Sequence, residues 1–358
     1  MLRARKAVRE MHEYHPPLAG RKGLRLDFNE NTEGCSARVL ERIRAITAEE
    51  LARYPEREPV EALVALHLAL PAEHVLLTNG VDEAIHLLYE AYLDPSDEVI
   101  VVTPTFSLYE IFAEAAGARV VRVQCDEDLR FPLHKTLASI TPATSLIAIA
   151  SPNNPTGGVA SPYQLLTIAQ AAPGAAILVD EAYYQFHGKT VMPDIVGQAN
   201  LFVARTFSKA YGLAGLRIGI LAGPAEQMQM IRRVSSPYNV NAVALAVLPD
   251  ALEDAEYVAR YVGQIRTGRK RLEHELTVLG IHWWPSEANF VLFNVGMQHQ
   301  EFVEAMQQRG ILVRDRSADP GCDGCVRITI GTVEQMDRCL AALREVSSEL
   351  KLAAEVKA

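Results

Sequence analysis

The chain has 358 residues, a formal net charge of -9, 49% hydrophobic and 22% charged side chains. This length exceeds the usual single domain, so two cores are expected, and the composition is that of a globular protein. The acidic balance argues against nucleic acid as the main partner. We expect neither a secretory signal nor a membrane helix, because no apolar stretch follows the N-terminal charges and no apolar run approaches ~18 residues.

The cysteines favour a reducing cytosol. They are Cys35, Cys125, Cys322, Cys325 and Cys339, an odd number without the spacing of a disulfide framework. Cys322 and Cys325 form a C-x-x-C pair, but no second ligand pair for zinc is recognisable nearby. A strand-like sequence follows the pair, whereas a redox motif usually opens a helix. We therefore predict no metal site and two thiols in a turn.

The N-terminal segment reads as an arm that leads into a helical region. Residues 1–23 contain Pro16-Pro17, which forbid helix, and Leu24–Phe28 alternates like an edge strand. Asn29-Glu30-Asn31 follows, and Ser36 is a suitable N-cap for the next helix. Further on, Arg53-Tyr54-Pro55-Glu56 predicts a turn between helices. Taken alone, Tyr54-Pro55 is an ordinary helix terminator and indicates no function.

The first buried strand is followed by a candidate phosphate site. A strand over 74–78 leads into Asn79-Gly80-Val81-Asp82 and then into a helix that extends to Tyr92. A strand, a glycine turn and a helix N-terminus offer free backbone N–H groups and a favourable dipole. Strand–glycine–helix joins are common, however, so this stretch alone does not decide for phosphate.

Three later strands end in polar or aromatic residues. Pro104-Thr105-Phe106 follows a strand over 97–102, and Ser151–Gly158 follows a continuous apolar strand over 146–150. Open α/β sheets bind ligands at such strand ends, although an elaborate turn is the alternative. After residues 176–179 comes Asp180-Glu181-Ala182-Tyr183. A carboxylate at a buried strand end needs a facing cation, either a ligand or a structural arginine.

The most informative stretch is Arg205–Arg217, between apolar runs at 201–204 and 218–221. A partly desolvated Lys209 is a plausible Schiff-base nucleophile. Thr206, Ser208 and Arg217 supply two hydroxyls and a planar guanidinium, which are the groups that hold a phosphate. A surface lysine in a turn is the alternative.

The C-terminal third has an α+β pattern. Pro237-Tyr238-Asn239-Val240-Asn241 precedes a helical run over about 251–279. Strands are predicted over 288–293, 311–314 and 326–332, with helices over 300–309 and 333–350. Arg327 lies inside a strand pattern and needs an anionic partner if it faces inward. Arg314 is either a binding residue or a solvated charge.

These motifs, in this order and over nearly the whole chain, resemble the class I/II aminotransferases, which are fold type I enzymes that use pyridoxal 5′-phosphate (PLP). The string at Pro237–Asn241 resembles the histidinol-phosphate aminotransferase branch most closely. The resemblance implies an α/β fold, with a large domain around a mostly parallel sheet and a smaller α+β domain. We predict an arm over 1–36 that joins the small domain, a large PLP-binding domain over 37–245 and a small domain over 246–358.

The resemblance also implies roles for individual residues. Lys209 binds PLP and moves the proton, Asp180 faces the pyridine nitrogen, and Tyr183 and Asn154 contact the phenolic oxygen. Phe106 stacks on the ring. The remaining predicted cofactor residues are Gly80, Val81, Asp82, Thr206, Ser208, Arg217 and, from the neighbouring subunit of a homodimer, Tyr54. The predicted substrate-binding residues are Tyr14, Asn31, Tyr238, Arg314 and Arg327. The family usually continues its N-E-N segment with proline, whereas Thr32 stands here.

The resulting hypothesis is a cytoplasmic, dimeric transaminase that acts on small amine and oxo-acid substrates. The favoured reaction converts L-histidinol phosphate and 2-oxoglutarate into imidazole acetol phosphate and L-glutamate, in histidine biosynthesis. The alternatives are an aromatic amino acid aminotransferase, a phospho-amino-acid decarboxylase on the same scaffold, and a non-catalytic PLP-binding sensor domain. The sensor would need a DNA-binding segment, and the arm before Leu24 is too short for a helix-turn-helix domain.

Overall fold

The structure is a computed structural model, and it describes residues 2–11, 13 and 20–352. The helices are α1 (Lys6–Glu10), α2 (Ala37–Ala45), α3 (Ala48–Ala52), α4 (Glu58–His67), α5 (Gly80–Tyr92), α6 (Leu108–Ala116), α7 (Leu133–Ala138), α8 (Pro162–Ala171), α9 (Tyr184–His187), α10 (Ala225–Val234), α11 (Ala242–Glu253), α12 (Ala255–Val278), α13 (His299–Gln308) and α14 (Val333–Glu349). In the part of the chain that the structure describes, no helix is both long and apolar enough to cross a membrane.

The strands fall into three groups. They are β1 (Leu24–Arg25), β2 (Val75–Thr78), β3 (Glu98–Thr103), β4 (Arg119–Gln124), β5 (Thr144–Ala150), β6 (Ala176–Asp180), β7 (Leu201–Thr206), β8 (Gly219–Ala222), β9 (Phe290–Asn294), β10 (Ile311–Leu312), β11 (Arg314–Asp315) and β12 (Cys325–Thr329). Seven of them form one sheet in the order β2-β8-β7-β6-β5-β3-β4. Only β8 runs antiparallel to its neighbours, so the predicted mostly parallel α/β sheet is confirmed.

The large sheet is covered by apolar packing on both faces. Successive side chains of a strand point to opposite faces, and in β3 Val99 and Val101 belong to one core while Ile100 belongs to the other. All five residues of β6 and all six of β3 are buried, which explains the continuous apolar runs in the sequence. The carboxyl ends of the parallel strands therefore meet at one edge of a rigid platform.

The C-terminal part forms a small antiparallel sheet in the order β11-β12-β9. The N-terminal segment reaches it, because β1 pairs in parallel with β10 through Leu24 and Ile311. The predicted strand over Leu24–Phe28 is shorter than expected, since its partner strand has two residues and Asn29 adopts a left-handed conformation with φ 55°. The division of the chain at residues 36 and 245 stays a prediction.

Two other predicted elements are divided in the structure. The helical run over 251–279 breaks at Asp254, whose side chain accepts a hydrogen bond from the Tyr257 N–H and so caps a new helix. The strand over 311–314 is split because β10 pairs with β1 whereas β11 pairs with β12. The predicted Ser36 N-cap is confirmed by its hydrogen bond from the Val39 N–H.

Candidate active site

A cavity of about 470 Å³ lies at the carboxyl edge of the large sheet, between that edge and the small sheet. Strands β5, β6 and β7 each contribute their last residue to it. The lining side chains are those of Asp27, Phe28, Asn29, Glu30, Val81, Asp82, Thr105, Phe106, Ser107, Tyr109, Ala150, Pro152, Asn154, Asp180, Ala182, Tyr183, Thr206, Ser208, Lys209, Ala214, Arg217, Arg314, Arg316, Asp319 and Arg327. The cavity therefore contains most of the predicted site residues.

One end of the cavity is a cup of hydrogen-bond donors at the start of α5. Gly80 has φ 78°, and a Cβ added there would lie 2.7 Å from the guanidinium of Arg217. Glycine thus lets Arg217 lie against the helix N-terminus, where unpaired backbone N–H groups and the helix dipole favour an anion. Arg217 also donates to the Asp82 carboxylate at 2.8 Å, which fixes the guanidinium at the cavity wall.

Two hydroxyls complete this cup. Thr206 and Ser208 are both buried, and the Ser208 backbone N–H donates to Thr206 Oγ1 at 3.0 Å. This bond leaves the hydroxyl hydrogen of Thr206 available to a ligand. Backbone N–H groups, two hydroxyls and a guanidinium form a donor set that suits a phosphate.

Lys209 lies beside the cup with its amine directed into the cavity. Its Nζ donates to the Phe28 carbonyl oxygen at 3.2 Å and lies 5.9 Å from the Tyr183 ring centroid. Burial, and secondarily the positive charge of Arg327, lower the pKa of Lys209 to about 8. A larger fraction of this amine than of an ordinary lysine is therefore neutral and nucleophilic near neutral pH.

Asp180 ends β6 at the floor of the cavity. Its Oδ2 accepts a hydrogen bond from the Tyr109 hydroxyl at 2.6 Å, and its Oδ1 accepts one from the Ala182 N–H at 2.9 Å. Burial raises the pKa of Asp180 to about 6. Among the described residues no basic side chain forms an ion pair with Asp180 within 4.0 Å, and its role at the pyridine nitrogen stays a prediction. A cationic group of a ligand would compensate the buried negative charge of the ionised carboxylate.

Tyr183 links the large sheet to the N-terminal segment and to the small sheet. Its hydroxyl accepts a hydrogen bond from Asn29 Nδ2 at 2.9 Å, and its ring contacts the edge of Phe290. Asn29 in turn accepts from the Thr329 hydroxyl and donates its backbone N–H to the same oxygen. These hydrogen bonds join residues 29, 183 and 329, which are far apart in sequence, so the network forms only in the folded protein.

Arg327 is buried at the opposite end of the cavity. Its guanidinium donates to Asn154 Oδ1 and, at 2.6 Å, to the Asp27 carbonyl oxygen. No carboxylate within the described ranges forms an ion pair with it, and its Nε is buried without a hydrogen-bond partner. Burial, followed by the charge of Arg316, lowers the pKa of Arg327 to about 9, so it stays protonated at neutral pH. Such a group is prepared to bind an anion.

Arg314 stands next to Arg327 across the β11–β12 pair and lies over the Phe28 ring at 5.2 Å. The other contact of this ring is Arg21, at 4.4 Å, which also donates to Asp27 at 2.9 and 2.7 Å. Arg314 lines the cavity, and the role predicted for it in binding substrate stays a prediction.

Some predicted site residues do not line this cavity. Asn31 instead holds the following loop, since it donates to the Tyr257 hydroxyl at 2.8 Å and accepts from the backbone of residues 33 and 34. Tyr54 and Tyr238 lie on the surface, stacked on one another with ring centroids 4.4 Å apart. Gly80 contributes through its backbone, and Tyr14 lies outside the described residues. The roles predicted for these residues stay predictions.

Several residues of the cavity were not anticipated as site residues. Tyr109 is three residues after Phe106, one helical turn away, and this spacing could have indicated it. Asn29 belongs to the same triplet as Asn31, and only the tertiary contacts distinguish the two. Arg316 and Asp319 follow Arg314 and carry no sequence signal of their own.

The cysteine pair lies at a turn, as predicted. Cys322 and Cys325 are buried free thiols at the turn that leads into β12, where the Cys325 N–H donates to the Cys322 carbonyl. Within the described residues, no group of three or more histidine, cysteine or acidic side chains could hold a metal ion.

Comparison with known proteins agrees with this geometry. Residues 21–343 match the sequence profile of the family described as aminotransferase class I and II, and the chain belongs to that family. It is accordingly a transaminase of the α/β fold type I and uses pyridoxal 5′-phosphate. Its substrates are therefore small amines and oxo acids.

Individual relatives are named more narrowly. The chain is 34% identical over 335 residues to histidinol-phosphate aminotransferase 1 of Bacillus thuringiensis subsp. konkukian, covering 92% of this chain and 90% of the relative. It is 36% identical over 299 residues to histidinol-phosphate aminotransferase of Caldanaerobacter subterraneus, covering 82% and 84%. A solved structure of histidinol-phosphate aminotransferase from Sinorhizobium meliloti in complex with pyridoxal 5′-phosphate superposes with a TM-score of 0.89 at 25% identity, covering 98% and 99%.

The residues present fit the cofactor. The cup at α5 suits its phosphate, the carboxylate of Asp180, which has no basic partner among the described residues, suits its pyridine nitrogen, and the aromatic side chain of Phe106 in the cavity suits its ring. The amine of Lys209 lies in the same cavity. Gly80 provides a further sign of fit, because any larger residue would displace Arg217 from the cup.

Proposed function

We propose that this protein transfers the amino group of L-histidinol phosphate to 2-oxoglutarate, which yields imidazole acetol phosphate and L-glutamate. The observation that carries the proposal is Arg327, a buried guanidinium without a carboxylate partner in the described part of the chain, in the same cavity as Lys209. Arg314 lies beside it. Two arginines side by side suit a phosphate ester or a dicarboxylate, and the names of the relatives, histidinol-phosphate aminotransferases, agree with the former.

The side chains of the cavity divide the chemistry of amino-group transfer among them. The bound cofactor supplies an electron sink for the carbanion that forms when the substrate loses its α-proton. The Nζ of Lys209 removes this proton and later returns it, as general base and acid. Asp180 would keep the pyridine nitrogen of the bound cofactor protonated, and Tyr109 orients the carboxylate through its 2.6 Å hydrogen bond to Oδ2. Tyr183 and Asn154 would hold the phenolic oxygen, while Arg217, Thr206 and Ser208 would hold the phosphate.

Water exclusion and orientation come from the N-terminal segment. Phe28 and Asn29 cover the cavity from the side of the small sheet, and Asn29 is fixed by three hydrogen bonds to Tyr183 and Thr329. Substrate positioned between Arg327 and Lys209 therefore reacts in a partly dry site.

The substrate assignment is tested by comparing kcat/KM for histidinol phosphate, histidinol, phenylalanine and tyrosine, with 2-oxoglutarate as acceptor. Histidinol phosphate should exceed dephosphorylated histidinol by a factor on the order of 10² or more, because histidinol leaves the buried guanidinium of Arg327 without an anionic partner. Arg314→Gln should reduce this ratio. If phenylalanine or tyrosine proves to be the better substrate, the protein is an aromatic amino acid aminotransferase instead.

The proposal includes a homodimer with shared active sites. Tyr54 is 78% exposed and Tyr238 58% exposed, although they are stacked, and this exposed aromatic surface would be covered by a second copy of the chain. In that arrangement Tyr54 contacts the cofactor phosphate of the partner. We place the enzyme in the cytosol because all five cysteines are free thiols.

Mixing two inactive variants tests the shared site. In hybrid dimers of Lys209→Ala and Tyr54→Ala, one site collects both defects and the other has neither. Activity should therefore exceed that of either parent once subunit exchange has been verified. If activity never rises above the average of the parents, Tyr54 acts within its own chain or has no part in catalysis.

A further inference from the structure

We infer that Arg316, held by Asp319, is a further specificity-determining residue that binds the distal anionic group of the substrate beside Arg327. This group is the phosphate of histidinol phosphate in one half-reaction and the γ-carboxylate of glutamate in the other. The inference rests on the proposed function for both substrates, and each of the two can be tested without the other.

Arg316 lies in the cavity beside the strand that carries Arg327. It follows β11, lines the cavity, and its side chain is 16% exposed. Its backbone N–H donates to the Cys325 carbonyl oxygen at 2.9 Å, which attaches the residue to β12, the strand that carries Arg327. The side chain therefore starts from a fixed backbone next to the strand that presents the substrate arginine.

Arg316 has a hydrogen-bond donor that is not used within the described residues, its Nε. One terminal nitrogen forms an ion pair with Asp319, whereas the Nε is buried without a partner among the residues that the structure describes. A buried guanidinium donor without an acceptor is unfavourable. A phosphate or carboxylate in the cavity would accept from it, and the planar fork of arginine suits either anion.

Asp319 holds Arg316 in place. The Asp319 N–H donates to the Arg316 carbonyl at 3.0 Å, so the two residues close a turn in addition to their ion pair. The Ser317 N–H donates to Asp315 Oδ1 at 2.8 Å within the same turn. Because the long side chain is ordered before substrate arrives, less conformational entropy is lost on binding.

Arg316 and Arg327 also influence one another electrostatically. After burial, the charge of Arg316 is the largest influence that lowers the pKa of Arg327, ahead of that of Arg314. Two guanidinium groups close enough to affect one another are stabilised by an anion that binds both. The substrate anion thus relieves repulsion between Arg316 and Arg327, which favours substrates that carry more negative charge at this end.

The test uses two pairs of substrates on the PLP-loaded enzyme. Histidinol phosphate is compared with histidinol, and glutamate with norvaline, in which a methyl group replaces the distal carboxylate. Arg316→Gln should lower kcat/KM for histidinol phosphate and glutamate by ~10- to 100-fold, and change that for histidinol and norvaline by less than about 3-fold. Arg316→Lys, which keeps the charge without the fork, should lose less than Arg316→Gln.

A matched control and a binding measurement complete the test. Arg309 has a side chain 27% exposed and pairs with Glu345 and Glu349 outside the cavity, so Arg309→Gln should leave all four values unchanged. The inhibition constant of inorganic phosphate should rise in Arg316→Gln to a similar extent as the loss for histidinol phosphate. Asp319→Asn should show a smaller change, because its amide oxygen still accepts from Arg316.

The inference is overturned if Arg316→Gln lowers both members of each pair equally, or if phosphate inhibits the variant as well as the parent. Should histidinol phosphate fail as a substrate of the parent, the proposed function fails, whereas the glutamate and norvaline pair still decides the role of Arg316. If Arg316→Gln does not fold, Arg316→Lys decides, since unchanged ratios in that variant contradict binding through the guanidinium fork.

Discussion

The cofactor end of the cavity draws its side chains from the edge of one continuous sheet, whereas the substrate end joins segments 300 residues apart. At the cofactor end, Asp180 and Thr206 are the last residues of neighbouring strands β6 and β7, and their spacing is set by sheet hydrogen bonding. At the substrate end, Arg327 is fixed by the Asp27 carbonyl and by Asn154. The cofactor end should therefore tolerate the loss of an individual side-chain contact without rearrangement. The geometry of the substrate end should depend on contacts between segments that are distant in sequence.

The largest effect is expected at the cofactor end from Lys209→Ala. Removal of the amine should abolish the covalent attachment of PLP and lower kcat by on the order of 10⁴-fold or more, since Lys209 is the group proposed to move the α-proton. Borohydride reduction followed by peptide mapping should label Lys209 in the parent. The exposed Lys189→Ala variant serves as control. A label on another lysine would refute the assignment.

Asp180→Asn separates the catalytic and structural effects of the buried carboxylate. Its kcat should fall on the order of 10³-fold, because the facing nitrogen is no longer kept protonated. Control Asp337→Asn changes an exposed carboxylate that pairs with Arg271 and should keep full activity. A variant of Asp180 with near-normal turnover would show that the carboxylate is only structural.

The same variant should stabilise the cofactor-free protein at neutral pH. The pKa of Asp180 is raised to about 6, so the folded state binds the proton more tightly than the unfolded state. Stability attributable to this group is present at low pH and is lost as pH rises from about 4 to 6. At pH 7.5, apo Asp180→Asn should unfold at a higher denaturant concentration than the apo parent, and equal midpoints would contradict the shift.

Arg327→Gln tests whether the substrate end influences the cofactor end. Burial, and then Arg327, lower the pKa of Lys209 to about 8, so the neutral amine increases as pH rises through that value. The rate at which apo protein captures PLP should therefore rise with a midpoint near pH 8, followed by absorbance. In Arg327→Gln the midpoint should move to higher pH, whereas Arg309→Gln should leave it in place. An unmoved midpoint would show that the two ends are electrostatically independent.

The smallest effect is expected from Thr329→Val, which keeps the shape but removes the hydroxyl. Thr329 is fully buried and holds Asn29 by two hydrogen bonds. Leaving Asn29 without these partners should lower the free energy of unfolding by ~1–3 kcal/mol and raise KM a few-fold, with the absorbance of bound PLP unchanged. Thr267→Val, at an exposed helical position, is the control. Unchanged KM would mean that Asn29 is positioned by other contacts.

The cofactor end was largely predictable because local sequence determines it. Apolar runs identified the strands, and parallel strands bring their carboxyl ends to one edge, so the residues after each run had to meet there. Asp180, Asn154, Thr206, Ser208 and Lys209 were found in this way, together with the resemblance carried by their motifs. The glycine at position 80 indicated the helix N-terminus that now holds Arg217.

Only the tertiary structure decided the substrate end and its connections. Sequence reasoning selected Asn31 from the triplet, yet Asn29 reaches Tyr183, because a left-handed residue at 29 turns the chain into the cavity. Arg316 and Asp319 have no periodicity or motif, and their importance depends on the strand pairing that places them beside Arg327. Sequence patterns report which residues share a strand or a helix face, whereas contacts between residues 300 positions apart depend on how the sheets pack against each other.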